Sequence, residues 1–160
     1  MLDVIGFDVV KMNQEHIEYL KKGFENFCNR NFTTAIEFYD KSLRIDPFDI
    51  VTMYDKALSL QYLKKDKEAI QIYDDIIRLD PDVFPLFYVK LKELDYSLQI
   101  SGWKSLHLPL MGRVDLSNIL LKKIHSLNRL RKNKEVEECI EMIQEWKIRQ
   151  SKIINSLKMD

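Results

Sequence analysis

A phrase of thirteen residues occurs twice in this chain, as AIEFYDKSLRIDP (Ala35 to Pro47) and as AIQIYDDIIRLDP (Ala69 to Pro81), with seven positions identical. The second copy stands 34 residues after the first. A fixed period of that length marks a stacked helical repeat, because one unit cannot bury its apolar face alone and needs a neighbour. The repeat therefore constrains the architecture before any single residue does.

Within the first copy, Ala35, Phe38, Tyr39, Ser42 and Leu43 recur at spacings of three and four, which collects them on one face of an α-helix. Asp40, Lys41 and Arg44 fall on the other face. Thr34 with Glu37 has the form of a capping box. Pro47 stops the helix, since it lacks an N–H and disfavours helical geometry at Asp46. The second copy repeats the plan, with Asp66 as cap and Pro81 as stop. A helix precedes each copy. From His16 to Cys28 the apolar face comprises Ile17, Leu20, Phe24, Phe27 and Cys28. Gly23 and Ala57 occupy the same place in successive units, as do Phe24 and Leu58, so the unit is expected to be a hairpin with small residues at the crossing.

The blocks YLKKGFENFCNRNFTTAIEFYDKSLRIDP (Tyr19 to Pro47) and MYDKALSLQYLKKDKEAIQIYDDIIRLDP (Met53 to Pro81) resemble tetratricopeptide (TPR) repeats. The resemblance rests on Gly23 and Ala57, Ala35 and Ala69, Tyr39 and Tyr73, and Pro47 and Pro81. It implies an all-α fold, a TPR-like stack of antiparallel helical hairpins (an α-solenoid). The expected organisation is an apolar tail over residues 1–15 followed by a helical-repeat domain over 16–160. Clear repeats cover 16–49 and 50–83, and a degenerate part covers 84–160.

Beyond Pro81 the pattern decays. DVFPLFYVKLKELDYSLQ suits the first helix of a third hairpin, with Asp82 as cap and Pro85 in the first turn. Trp103 then stands where the repeat needs alanine, which leaves the third hairpin distorted or replaced by a loop over 101–115. Helicity resumes at Asp115, and Asn133 is the candidate cap of a long last helix. Cys139 there takes the small-residue place and Leu127 lies opposite it, which makes a degenerate terminal hairpin.

Composition excludes little by itself. The chain has 25 basic and 25 acidic residues, so no summed field favours nucleic acid or an anionic membrane. No run of about 18 apolar residues offers a membrane span. Cys28 and Cys139 lack metal-ligand spacing and read as buried thiols in a reducing compartment, in keeping with a cytoplasmic protein. His16, His107 and His125 are scattered without acidic companions, and His16 reads as a solvated first-turn residue. With no phosphate loop and no carboxylate dyad, neither catalysis nor a cofactor is expected. The basic cluster from Lys122 to Lys134 is offset by Glu135, Glu137 and Glu138 and reads as a wetted helix end.

What remains is a surface. In TPR proteins the first helix of each hairpin lines the concave ligand face. That resemblance nominates Ile17, Leu20, Phe24 and Phe27 from the first hairpin, then Val51, Tyr54, Leu58, Gln61 and Tyr62 from the second, and Tyr88, Lys92 and Tyr96 from the third. Such a lining suits an apolar or amphipathic segment of a partner protein, and the chain is expected to serve as a protein-binding adaptor. The alternative is a self-associating structural module, a homodimer through the apolar residues 1–10 or the last helix. The TPR groove that grips the acidic tail of heat-shock chaperones does so with lysine, asparagine and arginine. Leu20, Phe24, Asp55, Pro85 and Val89 take those places here. An aspartate facing a carboxylate would repel it, so the acidic chaperone tail is not an expected partner.

Overall fold

The computed structural model describes residues 2–79 and 115–157, and all of the regular structure within them is α-helical. The helices are α1 (Leu2–Cys28), α2 (Phe32–Ile45), α3 (Ile50–Tyr62), α4 (Asp66–Leu79), α5 (Leu116–Arg129) and α6 (Asn133–Leu157). By contact the chain divides into two units, Met1–Leu79 and Asp80–Asp160. Asp82, Pro85, Tyr88, Lys92, Tyr96 and the expected loop over 101–115, apart from Asp115, lie outside the described residues.

In the first unit each helix packs on its neighbours in sequence, α1 on α2, α2 on α3 and α3 on α4. The doubled phrase supplies α2 and α4. Ala35, Tyr39, Ala69, Tyr73 and Ile76 are all without solvent exposure, so two of the identical pairs, Ala35/Ala69 and Tyr39/Tyr73, lie at the helix contacts. Pro47 acts as the periodicity requires. Helix α2 ends at Ile45, and Asp46 is extended at φ −125° and ψ 93° while its N–H still reaches the Ser42 carbonyl. Helix α1 begins at Leu2 and runs through residues 2–15 without a break, although the sequence sets these residues apart as a tail.

Two local expectations differ from the structure. Helix α2 starts at Phe32, ahead of Thr34, and no side chain caps its first turn, so the Thr34–Glu37 box falls inside the helix. Gly23 meets an aromatic ring instead of another small residue. A Cβ at Gly23 would lie 2.6 Å from Tyr39 Cδ1, because the fully buried tyrosine fills the crossing of α1 and α2. Glycine is needed there for close approach, not for an unusual backbone angle.

The three described turns inside hairpins, α1–α2, α3–α4 and α5–α6, share one geometry. The amide of Asn31 bonds to the Asn26 carbonyl at 2.8 Å, that of Lys65 to Leu60 at 2.9 Å and that of Lys132 to Leu127 at 3.0 Å. The residue before each amide, Arg30, Lys64 and Arg131, has positive φ of 61°, 61° and 56°. This is the Schellman ending of a helix, here built without glycine. It makes α5 and α6 in the second unit a hairpin of the same kind as α1–α2 and α3–α4. Asp115 caps α5, accepting from the Asn118 N–H at 2.7 Å, and Leu116, Ile119, Leu120, Leu127, Cys139 and Ile143 are buried.

Candidate functional site

Helix α3 is apolar enough on all sides to be sunk into the unit. Every residue from Val51 to Gln61 except Lys56 is buried. Lys56 instead reaches α2, with its Nζ 2.6 Å from Asp40 Oδ1. The nominated residues Val51, Tyr54, Leu58 and Gln61 are therefore buried, as are Leu20 and Phe24 of α1. Tyr54 packs on Tyr73 with ring centroids 6.2 Å apart, and the Tyr73 hydroxyl donates to Gln61 Oε1 at 3.0 Å. Ile17 and Phe27 are half-buried, and Tyr62 is 60% exposed. These three are the nominated groove residues with area open to a ligand among the described residues.

One residue of this face carries an unusual charge state. Asp55 is 3% exposed, and its Oδ2 has no hydrogen-bond partner among the described residues. Burial, together with the nearby Asp49 carboxylate, pushes its pKa up to about 8. The side chain is therefore a neutral acid at pH 7. The Tyr39 hydroxyl, also buried and without a hydrogen-bond partner among the described residues, has its pKa pushed upward by burial first and by Asp55 second.

A second constellation escaped the sequence reading. His16 is no solvated first-turn residue. It lies well inside α1, and its side chain is 14% exposed. Its Nδ1 is 2.8 Å from Ser42 Oγ and 3.2 Å from the Ser42 carbonyl, and its Nε2 is 3.3 Å from Asp49 Oδ2. Asp49 in turn caps α3, accepting from the N–H groups of Val51 and Thr52 at 3.2 Å each. The histidine thus ties α1 to the end of α2 and to the start of α3. The expectation failed because residues 26 and 33 positions away in sequence supply its partners, which no local spacing reveals.

Serine, histidine and aspartate in a row invite comparison with a nucleophilic triad. The Ser42 hydroxyl has no solvent exposure and donates to the His16 backbone carbonyl at 3.1 Å, so no substrate can reach it. The arrangement is a structural latch. Hydrogen bonding to Asp49 raises the His16 pKa above 6.5, against the opposing effect of burial. Burial acts to raise the Asp49 pKa, but hydrogen bonds from His16 and Thr52 outweigh it and bring the carboxyl below 3.8. The sign for stability follows from both. The His16 contribution is fully present below pH 6.5 and is lost as pH rises through its folded value. The Asp49 contribution is present above pH 3.8 and is lost as pH falls through its folded value. His16→Gln is expected to cost about 1–2 kcal/mol at pH 6 and less at pH 8.5, read from urea unfolding at the two pH values. An equal loss at both would show that the imidazolium does not contribute.

The sequence of residues 51–83 matches the family model described as Tetratricopeptide repeat. No curated protein matches the chain. Among solved structures, the first TPR of Spaghetti (RPAP3) bound to the HSP90 peptide SRMEEVD is similar to this chain. It aligns with a TM-score of 0.58 at 16% identity, over 91% of this chain and 90% of that one. This corrects the exclusion of the acidic chaperone tail, since a domain of the same fold is seen holding such a peptide. The charge argument behind the exclusion fails on physical grounds as well. The Asp55 carboxyl, with its pKa at about 8, carries little negative charge at pH 7 with which to repel a carboxylate. Residues 51–83 thus carry a tetratricopeptide repeat, within an all-helical fold of packed antiparallel hairpins similar to that of a TPR domain.

Proposed function

We propose that this chain is a non-catalytic adaptor that takes up a segment of a partner protein along the face built by the first helix of each hairpin. The TPR fold suggests a protein–protein interaction module, and the similarity to a peptide-holding domain is the observation that carries the reading. The apolar lining of Ile17, Phe27 and Tyr62 favours the apolar side chains of such a segment. The acidic chaperone tail enters as a candidate ligand because the similar domain holds SRMEEVD. At neutral pH a protonated Asp55 is a hydrogen-bond donor and not a repelling charge. No helix among the described residues is long and apolar enough to cross a membrane, and the adaptor role is proposed for the cytoplasm.

The test pairs calorimetry with capture. Titration with SRMEEVD and with an amphipathic helical peptide should give a micromolar Kd for at least one of them. Ile17→Glu places a charge on the half-buried lining and is expected to weaken that binding about tenfold while circular dichroism stays unchanged. The same variant should lose partners that the wild type captures from native cells. Equal capture by both proteins, with neither peptide bound, would remove the groove reading. A stable dimer at micromolar concentration by light scattering would favour the self-associating module instead.

A further inference from the structure

The turn end of the first two hairpins gathers two residues of the groove lining, Phe27 and Tyr62, with Phe32 of α2. Phe27 lies at the end of α1, Phe32 opens α2 and Tyr62 closes α3. Phe32 and Tyr62 stack with centroids 4.6 Å apart and planes within 3° of parallel. Phe27 meets both edge-on, at 5.5 Å and 5.6 Å. Tyr62 keeps 60% of its surface exposed although one ring face covers Phe32, so the opposite face is open to solvent.

Cations stand close to this platform along the chain. Arg30 stands two residues before Phe32, and Lys64 and Lys65 follow Tyr62 closely in the next turn. All three are exposed. Among the described residues Arg30 and Lys64 enter no ion pair, and Lys65 reaches Glu68 only at 3.9 Å. Arg30 and Lys64 also occupy the left-handed turn position, at φ 61° each, where glycine is the least strained residue. An open aromatic face beside unpaired cations is complementary to an aromatic side chain flanked by carboxylates.

We propose that this turn edge, which shares Phe27 and Tyr62 with the groove lining and so rests on that reading, takes an acidic segment of a partner protein with an aromatic side chain stacked on Tyr62. Carboxylates on either side of that ring meet Arg30, Lys64 and Lys65. A peptide fits better than a nucleic acid strand, which needs an extended basic track along its backbone, whereas these cations border a single ring.

The probe is a labelled peptide of Glu and Asp residues around one central Trp, followed by fluorescence anisotropy at low and moderate salt. The wild type should bind it about tenfold tighter than the same peptide with Ser in place of Trp. Tyr62→Ala should remove that preference. Arg30→Gly with Lys64→Gly should weaken binding about tenfold and flatten its salt dependence. Because glycine suits both turn positions, the paired variant should melt no lower than the wild type, which separates lost binding from lost folding. Ile17→Glu, about 15 Å along α1 from Phe27, should leave this affinity unchanged, so failure of the groove reading and failure of the turn-edge proposal are distinguishable. The proposal is overturned if the Trp and Ser peptides bind alike, if either turn-edge variant binds as the wild type does, if Ile17→Glu abolishes binding, or if oligothymidylate binds more tightly than the acidic peptide.

Discussion

Asp55→Asn is expected to stabilise the protein at neutral and alkaline pH. The wild-type carboxyl has its pKa raised from 3.8 to about 8, so folding takes up a proton between those values. A raised folded value gives stability that is fully present below pH 3.8 and is lost progressively as pH climbs to about 8. At pH 7 that loss amounts to about 4 kcal/mol, a large fraction of the stability of a small domain. Asparagine keeps the shape and titrates nowhere. The variant should therefore match the wild type near pH 4 and exceed it increasingly up to pH 8. Chemical denaturation at four pH values reads this directly. Parallel stability profiles for the two proteins would mean that Asp55 is not the buried acid described. The same pair of proteins bears on ligand choice. If SRMEEVD binds, its affinity for the wild type should fall as pH passes 8, while the Asn variant should show no such fall.

Gly23→Ala is expected to act in the opposite direction despite its better helix propensity. Alanine gains about 1 kcal/mol over glycine inside a helix. Here its Cβ would lie 2.6 Å from Tyr39 Cδ1, and the ring is fully buried with nowhere to move. The overlap forces α1 and α2 apart at a cost of about 1–3 kcal/mol beyond the propensity gain, and the melting temperature should fall by several degrees. In a Tyr39→Val background, which lacks the ring atoms at the crossing, the same change should cost nothing and regain the propensity term. That cancellation is the decisive observation, because a loss that persisted without the ring would locate the role of Gly23 elsewhere. Ala57 in the second hairpin shows that the position tolerates a methyl group where its surroundings allow one.

The two changes indicate what kind of information each level holds. The hairpin stack was legible because the repeat carries it redundantly. Ala35 and Ala69, Tyr39 and Tyr73 recur at one period, and each is fully buried at a helix contact. Helix ends were legible where they depend on a local covalent fact, as Pro47 ends α2. They were less so where several residues compete. Thr34 and Glu37 fit a capping pattern, yet the helix begins before them, since Phe32 gains more by packing on Phe27 and Tyr62. The first-helix residues were nominated as an apolar lining, but periodicity cannot tell an apolar residue that faces a ligand from one that faces the neighbouring helix. Tyr54 and Gln61 proved to be engaged with Tyr73 of α4.

By itself, then, the sequence determined an all-helical hairpin stack of the TPR kind, because local periodicity and a fixed repeat length depend only on neighbours along the chain. Only the tertiary structure decided the charge of Asp55, the latch of His16 with Ser42 and Asp49, and the aromatic platform of Phe27, Phe32 and Tyr62. Each of these arises where three helices meet. A pKa responds to the loss of water around a group, and a ring stack to the distance between helix ends. Neither quantity exists until segments far apart in the chain have packed together.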